Sequence, residues 1–68
     1  MKLTVNGIER EVDSIRTLAD LLGSLGIPSG RAGTAVARNG EVVPRARWRE
    51  TPVAEGDRVE IITAVQGG

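Results

Sequence analysis

Leu18, Leu21, Leu22 and Leu25 stand at i, i+3, i+4 and i+7, which puts four leucines on one face of a helix. The segments before and after this run instead alternate apolar and polar residues, the period of strands. In a chain of 68 residues a single leucine-faced helix can cover one face of one sheet, so a two-layer α+β domain is expected. The ends of the helix are marked as well. Thr17 precedes the run as N-cap, and Asp20 at the third helical position can reach back in a capping box while meeting the positive end of the helix dipole. Gly26 sits where a left-handed C-cap is wanted and Pro28 prevents continuation, which bounds the helix to roughly residues 18 to 25.

Leu3 and Val5 alternate with Lys2, Thr4 and Asn6, and Ile8 and Val12 with Glu9 and Glu11, across Asn6-Gly7. An Asn-Gly pair is the strongest short hairpin signal, because a type I′ turn needs positive φ at both central residues. A second pair, Asn39-Gly40, joins Ala35-Val36-Ala37-Arg38 to Glu41-Val42-Val43, and Pro44 ends that strand because it has no amide to donate. The stretch from Ile27 to Thr34 reads as a loop and that from Arg45 to Thr51 as irregular. After a turn at Glu55-Gly56-Asp57, the segment Arg58 to Ala64 is the most strand-like of all. It puts Val59, Ile61 and Thr63 on one face and Glu60, Ile62 and Ala64 on the other. The predicted order is therefore strand, strand, helix, strand, strand, strand. The short-chain solution for that order is the ubiquitin-like β-grasp, a mixed sheet of four to five strands covered on one face by one short helix. Its first and last strands lie parallel, joined by a right-handed crossover. Residues 1–64 form the domain, and residues 65–68 leave the sheet edge-on as a flexible tail.

Composition decides what such a domain can do. Cys, His, Tyr and Phe are absent, which removes disulfides, Cys or His metal sites, thiol nucleophiles and any base that titrates unperturbed near neutrality. Nine Lys and Arg balance nine Asp and Glu, so no net field favours nucleic acid or an anionic membrane. No apolar run approaches the roughly 20 residues that span a bilayer, and the alternating start is not a signal sequence, so the expected location is cytoplasmic. Ser14, Ser24 and Ser29 lack a histidine base, Gly30-Arg31-Ala32-Gly33 lacks the Lys-Ser/Thr of a P-loop, and Asp13, Glu50 and Glu55 are spaced as solvated charges. No enzyme is expected.

Chemistry remains possible at the chain's end, Ala64-Val65-Gln66-Gly67-Gly68. The plain alternative is a frayed terminus. A Gly-Gly end, however, has no side chains to obstruct it and can thread a narrow channel to present its carboxylate to ATP held by a partner. Once adenylated, that carboxylate is an electrophile, and attack by a sulfur donor gives a thiocarboxylate. The expected site is Gly68, with Gly67, Gln66 and Val65 threading behind it and Ile62 and Ala64 forming a partner-binding surface on the open sheet face. Arg45, Arg47 and Arg49 around Trp48, with Arg38 nearby, are a second candidate, because arginines interleaved with an aromatic can bind phosphate and stack on bases. Zero net charge argues against it. The stronger expectation is that Trp48 closes the core and the arginines pair with Glu41, Glu50 or Glu55.

Asn6, the helix Thr17-Leu18-Ala19-Asp20-Leu21-Leu22, Ala35-Val36-Ala37-Arg38-Asn39, Val43-Pro44-Arg45 with Trp48, Gly56-Asp57 and Gly67-Gly68 together resemble the ThiS family of sulfur carriers. The resemblance runs nearly end to end. Gly-Asp before the last strand is shared by several β-grasp carriers, whereas Val-Pro-Arg at this spacing points more narrowly to ThiS. The resemblance implies a role in thiamine biosynthesis. A ThiF-like adenylyltransferase would activate Gly68 with ATP, a sulfur donor enzyme would supply the thiocarboxylate, and thiazole synthase (ThiG) would consume it. The carrier would bind no cofactor, metal, nucleic acid or membrane, and would be a monomer. The Ile27 to Thr34 loop matches no fixed pattern. A MoaD-like carrier for molybdopterin synthesis has the same terminal chemistry, but its members tend to be longer and lack Val-Pro-Arg-x-x-Trp. A ubiquitin-like modifier and a non-covalent β-grasp binding module are the remaining alternatives.

Overall fold

The structure, a computed structural model, describes residues 1–27 and 33–63. Strands β1 (Lys2–Val5) and β2 (Ile8–Glu11) form the first hairpin, followed by helix α1 (Leu18–Ser24). Strands β3 (Thr34–Arg38) and β4 (Glu41–Val43) form the second, and a 3₁₀ turn (Arg45–Arg47) leads towards β5 (Arg58–Thr63). The sheet order is β2-β1-β5-β3-β4. β1 and β5 pair in parallel, and every other neighbouring pair is antiparallel. This is the β-grasp arrangement expected from the sequence. β5 lies at the centre of the sheet, between β1 and β3. The tail, residues 65–68, lies outside the described residues, as do Ala64 and most of the Ile27 to Thr34 loop.

Both Asn-Gly turns form as predicted, with φ of 50° and 80° at Asn6 and Gly7 and of 51° and 86° at Asn39 and Gly40. The helix is one turn of capping chemistry at each end. Asp20 N donates to Thr17 Oγ1 at 3.2 Å while Thr17 N donates to Asp20 Oδ2 at 3.1 Å, completing the capping box. Hydrogen bonds from the Arg16 and Thr17 amides hold the Asp20 carboxyl below the ordinary aspartate range. At the other end Gly26 adopts φ 77°, Gly26 N donates to Gly23 O and Ile27 N to Leu22 O at 2.9 Å, which is a Schellman closure.

Leu18, Leu21 and Leu22 are fully buried and pack with Leu3, Val5, Val36, Val59 and Ile61 from the sheet. Ile15, Trp48 and Val53, from segments without strand or helix periodicity, complete the core. β2 is exposed along its whole length, including Ile8. It is an edge strand, and its alternation contributes core contact only through Val12, just beyond its end.

The segment predicted to be irregular is organised by tertiary hydrogen bonds. The first amides of α1 have no partner within the helix. Leu18 N donates to Thr51 O at 3.0 Å and Ala19 N to Trp48 O at 3.1 Å, while Val53 N donates back to Arg16 O at 3.0 Å. Trp48 is buried, and its indole Nε1 donates to Val43 O at 2.8 Å.

Asp57 is the buried charged residue of the described structure. Its carboxylate accepts from Ala54 N at 2.8 Å, Asn39 Nδ2 at 3.1 Å and Arg38 Nε at 2.8 Å. Burial pushes this carboxyl up, but the hydrogen bonds from Asn39, Ala54 and Arg38, with the Arg38 charge, outweigh that and hold it below the ordinary aspartate range. Asp57 thus ties the second hairpin's turn to the start of β5. The sequence suggested only a turn there.

Candidate functional site

The sheet has one covered face and one open face, and the alternation of β5 sorts residues between them. Val59 and Ile61 turn to the helix, while Ile62 stands 69% exposed on the open side, as predicted. Register places Ala35 opposite Ile62 and Ala37 opposite both Val42 and Glu60. Val42 is 72% exposed, so Ile62 and Val42 flank the two alanines. Ala35, Ala37, Val42, Glu60 and Ile62 line a shallow depression of about 120 Å³. The small alanines form its floor and the two branched side chains its walls. Towards β1 the same face becomes polar around Thr4, Arg58 and Glu60.

Ala35, Ala37 and Val42 are the members of this surface that were not anticipated. The signal was available: in a two-residue Asn-Gly hairpin Val43 must face Val36, which is core, so Val42 must face Ala37 on the other side. Ile62 is joined to the predicted reactive end only through sequence. Ala64, Val65, Gln66, Gly67 and Gly68 lie outside the described residues.

The arginine candidate loses its stacking surface, since Trp48 is 1% exposed. Arg38 does not belong to a basic run but pairs with Asp57. Arg47 pairs with Glu50 at 3.5 Å, one of the partners expected, whereas Glu55 accepts from the Lys2 amide. Among the described residues no group of three or more His, Cys, Asp or Glu could hold a metal ion, and no helix is long and apolar enough to cross a membrane.

Ile62 and Val42 thus give the open face an exposed apolar depression beside β5. The thiazole synthase of Paramagnetospirillum magneticum is 41% identical to this chain over 68 residues, all of this chain but 20% of that protein. The sulfur carrier protein ThiS of Escherichia coli is 29% identical over the full length of both. The crystal structure of the thiamine biosynthesis protein ThiS from Geobacter metallireducens superposes with a TM-score of 0.80 at 37% identity, covering 100% of both chains. Residues 3–68 match the ThiS family, through the terminal Gly67-Gly68, and the chain belongs to that family.

Proposed function

We propose that this chain is the sulfur carrier of thiamine biosynthesis and acts as a protein co-substrate, not as an enzyme. The observation that carries the reading is the family match running through Gly67-Gly68, in a chain without Cys or His whose terminal carboxylate is the group suited to activation. In the first step the Gly68 carboxylate attacks the α-phosphorus of ATP on a ThiF-like adenylyltransferase, and pyrophosphate leaves. Hydrosulfide, sulfur at the sulfide level supplied by the donor enzyme, then attacks the acyl carbon, and AMP and a proton leave. The resulting thiocarboxylate passes its sulfur to thiazole synthase. ATP is the adenylyltransferase's substrate, and the carrier itself holds no cofactor.

Each part of the chain has a task in this scheme. Gly67, Gln66 and Val65 occupy the channel, and the absence of a side chain at the last two positions lets the acyl carbon approach the nucleotide. Ile62 and Val42, with Ala64 two positions further along the sequence from Ile62, supply the apolar contact by which each partner holds the domain while the end is engaged. The thiazole synthase of P. magneticum includes a segment alike to this whole chain, which supports thiazole synthase as the protein that receives the sulfur. The same family match favours this pathway over the MoaD-like alternative.

Intact mass spectrometry tests the proposal. Incubation with ATP, a sulfur donor and the adenylyltransferase should replace one oxygen at Gly68 by sulfur. Deleting Gly68 should abolish the change while leaving the thermal unfolding curve in place, because no core residue is touched. No mass change in the intact chain, beside a control carrier that is converted, refutes it.

A further inference from the structure

The Asn6 side chain does more than permit a turn. β1 stops at Val5 because Asn6 and Gly7 reverse the chain, yet β5 continues to Thr63. Main-chain pairing of the two strands reaches only Val5 with Val59. Along that side of β5, Thr4 N donates to Asp57 O at 3.0 Å and Asn6 N to Val59 O at 2.9 Å. The next groups are the amide and carbonyl of Ile61, and the Asn6 carboxamide takes both. Ile61 N donates to Asn6 Oδ1 at 2.7 Å, and Asn6 Nδ2 donates to Ile61 O at 3.0 Å. A primary carboxamide offers the same donor and acceptor as a peptide unit. The side chain therefore supplies one further rung of a parallel ladder after the main chain has turned away.

We propose that Asn6 is a positioning residue for the carrier reaction. Its carboxamide fixes the backbone at Ile61, and so sets both the presentation of Ile62 on the docking face and the point from which the reactive end is delivered. The proposal rests on the sulfur-carrier reading above. Asn39 provides an internal control. It occupies the same turn position, at φ 51°, and its carboxamide also makes two hydrogen bonds, donating to Asp57 Oδ1 at 3.1 Å and accepting from Arg58 N at 2.9 Å. Those bonds hold the start of β5, at the opposite end of the strand from Ile62. A structural contribution is common to both asparagines, whereas positioning of the end belongs to Asn6.

Asn6→Gly and Asn39→Gly each keep the positive φ and remove the carboxamide. Two measurements separate the roles, at a temperature where both variants and the parent are fully folded. In the isolated protein, Asn6→Gly should speed hydrogen exchange at the Ile61 amide by about tenfold, the effect of losing one or two hydrogen bonds. With ATP, sulfide and the adenylyltransferase, it should lower kcat/KM for thiocarboxylate formation by a similar factor of about ten. Asn39→Gly should leave both within about twofold. Unchanged Ile61 exchange in Asn6→Gly overturns the clamp, whatever happens in the reaction. Unchanged turnover in Asn6→Gly, or equal slowing by Asn39→Gly, overturns the positioning role. If the parent chain is not converted beside an active control carrier, the carrier reading fails and positioning for that reaction falls with it, while the exchange result still decides the clamp.

Discussion

Asp57→Ala removes the side chain on which this fold concentrates most polar contacts. Asp57 is 7% exposed, and its carboxylate accepts hydrogen bonds from Ala54 N, Asn39 Nδ2 and Arg38 Nε. A hydrogen bond to a charged group contributes about 1.5–3 kcal/mol, so summing three at face value gives at least about 4.5 kcal/mol. That sum is too large here. Asn39 and Ala54 are exposed and the Arg38 side chain retains 30% exposure, so water re-solvates much of what the variant strands. About 3 kcal/mol is the resulting expectation. For a domain of this size about 4–8 °C of Tm accompanies each kcal/mol, which makes the expected drop about 12–24 °C. The chain contains one tryptophan, Trp48, and it is 1% exposed, so its fluorescence reports unfolding in a urea titration without a label. Asp57→Asn keeps the shape but loses the charge and turns an amide towards the donors, so it should lose a comparable amount. A loss below about 1 kcal/mol for Asp57→Ala, with an unchanged urea m-value, would refute the reasoning.

The same carboxylate should shape the acid limb of stability. Its folded pKa lies below the unfolded value of about 3.9, so its contribution is complete above that pH and disappears as pH falls through the lowered folded value. Urea midpoints of the parent and Asp57→Ala should therefore converge in acid, and a constant gap down to the lowest pH would contradict this. Leu21→Ala, at a fully buried position, should cost about 2–5 kcal/mol and leave a large unfolded fraction, read by far-UV circular dichroism. Ile62→Glu, at a position 69% exposed, should change stability by no more than about 0.5 kcal/mol while weakening adenylyltransferase binding by at least about tenfold in calorimetry. Unaltered affinity would remove the open face from the docking scheme.

The difference between what was legible in the sequence and what was not follows the range of the interaction. Thr17, Asp20 and Gly26 announced the ends of α1 because caps join residues a few positions apart. The two Asn-Gly pairs announced their hairpins because the requirement for positive φ is a property of the residues themselves. The leucine spacing and the alternation in β5 sorted buried from exposed positions, including Ile62, because periodicity is geometric. The Gly67-Gly68 pair was likewise a matter of residue type, and family membership followed from the order of these local signals.

Tertiary structure alone decided which groups meet across the sheet. The centre position of β5 follows from the pairing of strands distant in sequence, and no local pattern encodes it. The segment around Trp48 looked irregular because, beyond the short local bonds of its 3₁₀ turn, it is held by hydrogen bonds from the helix start. Arg38 looked like a neighbour of the basic run and Asp57 like a turn residue, because the pair forms only when β5 is laid beside β3. Asn6 was legible as a turn residue, yet its carboxamide serves Ile61, 55 positions away. Backbone conformation and amphipathicity are local and were written in the sequence. The partner of a polar group is set by strand order and register, and these exist only once the hydrophobic face of the helix has closed on the sheet.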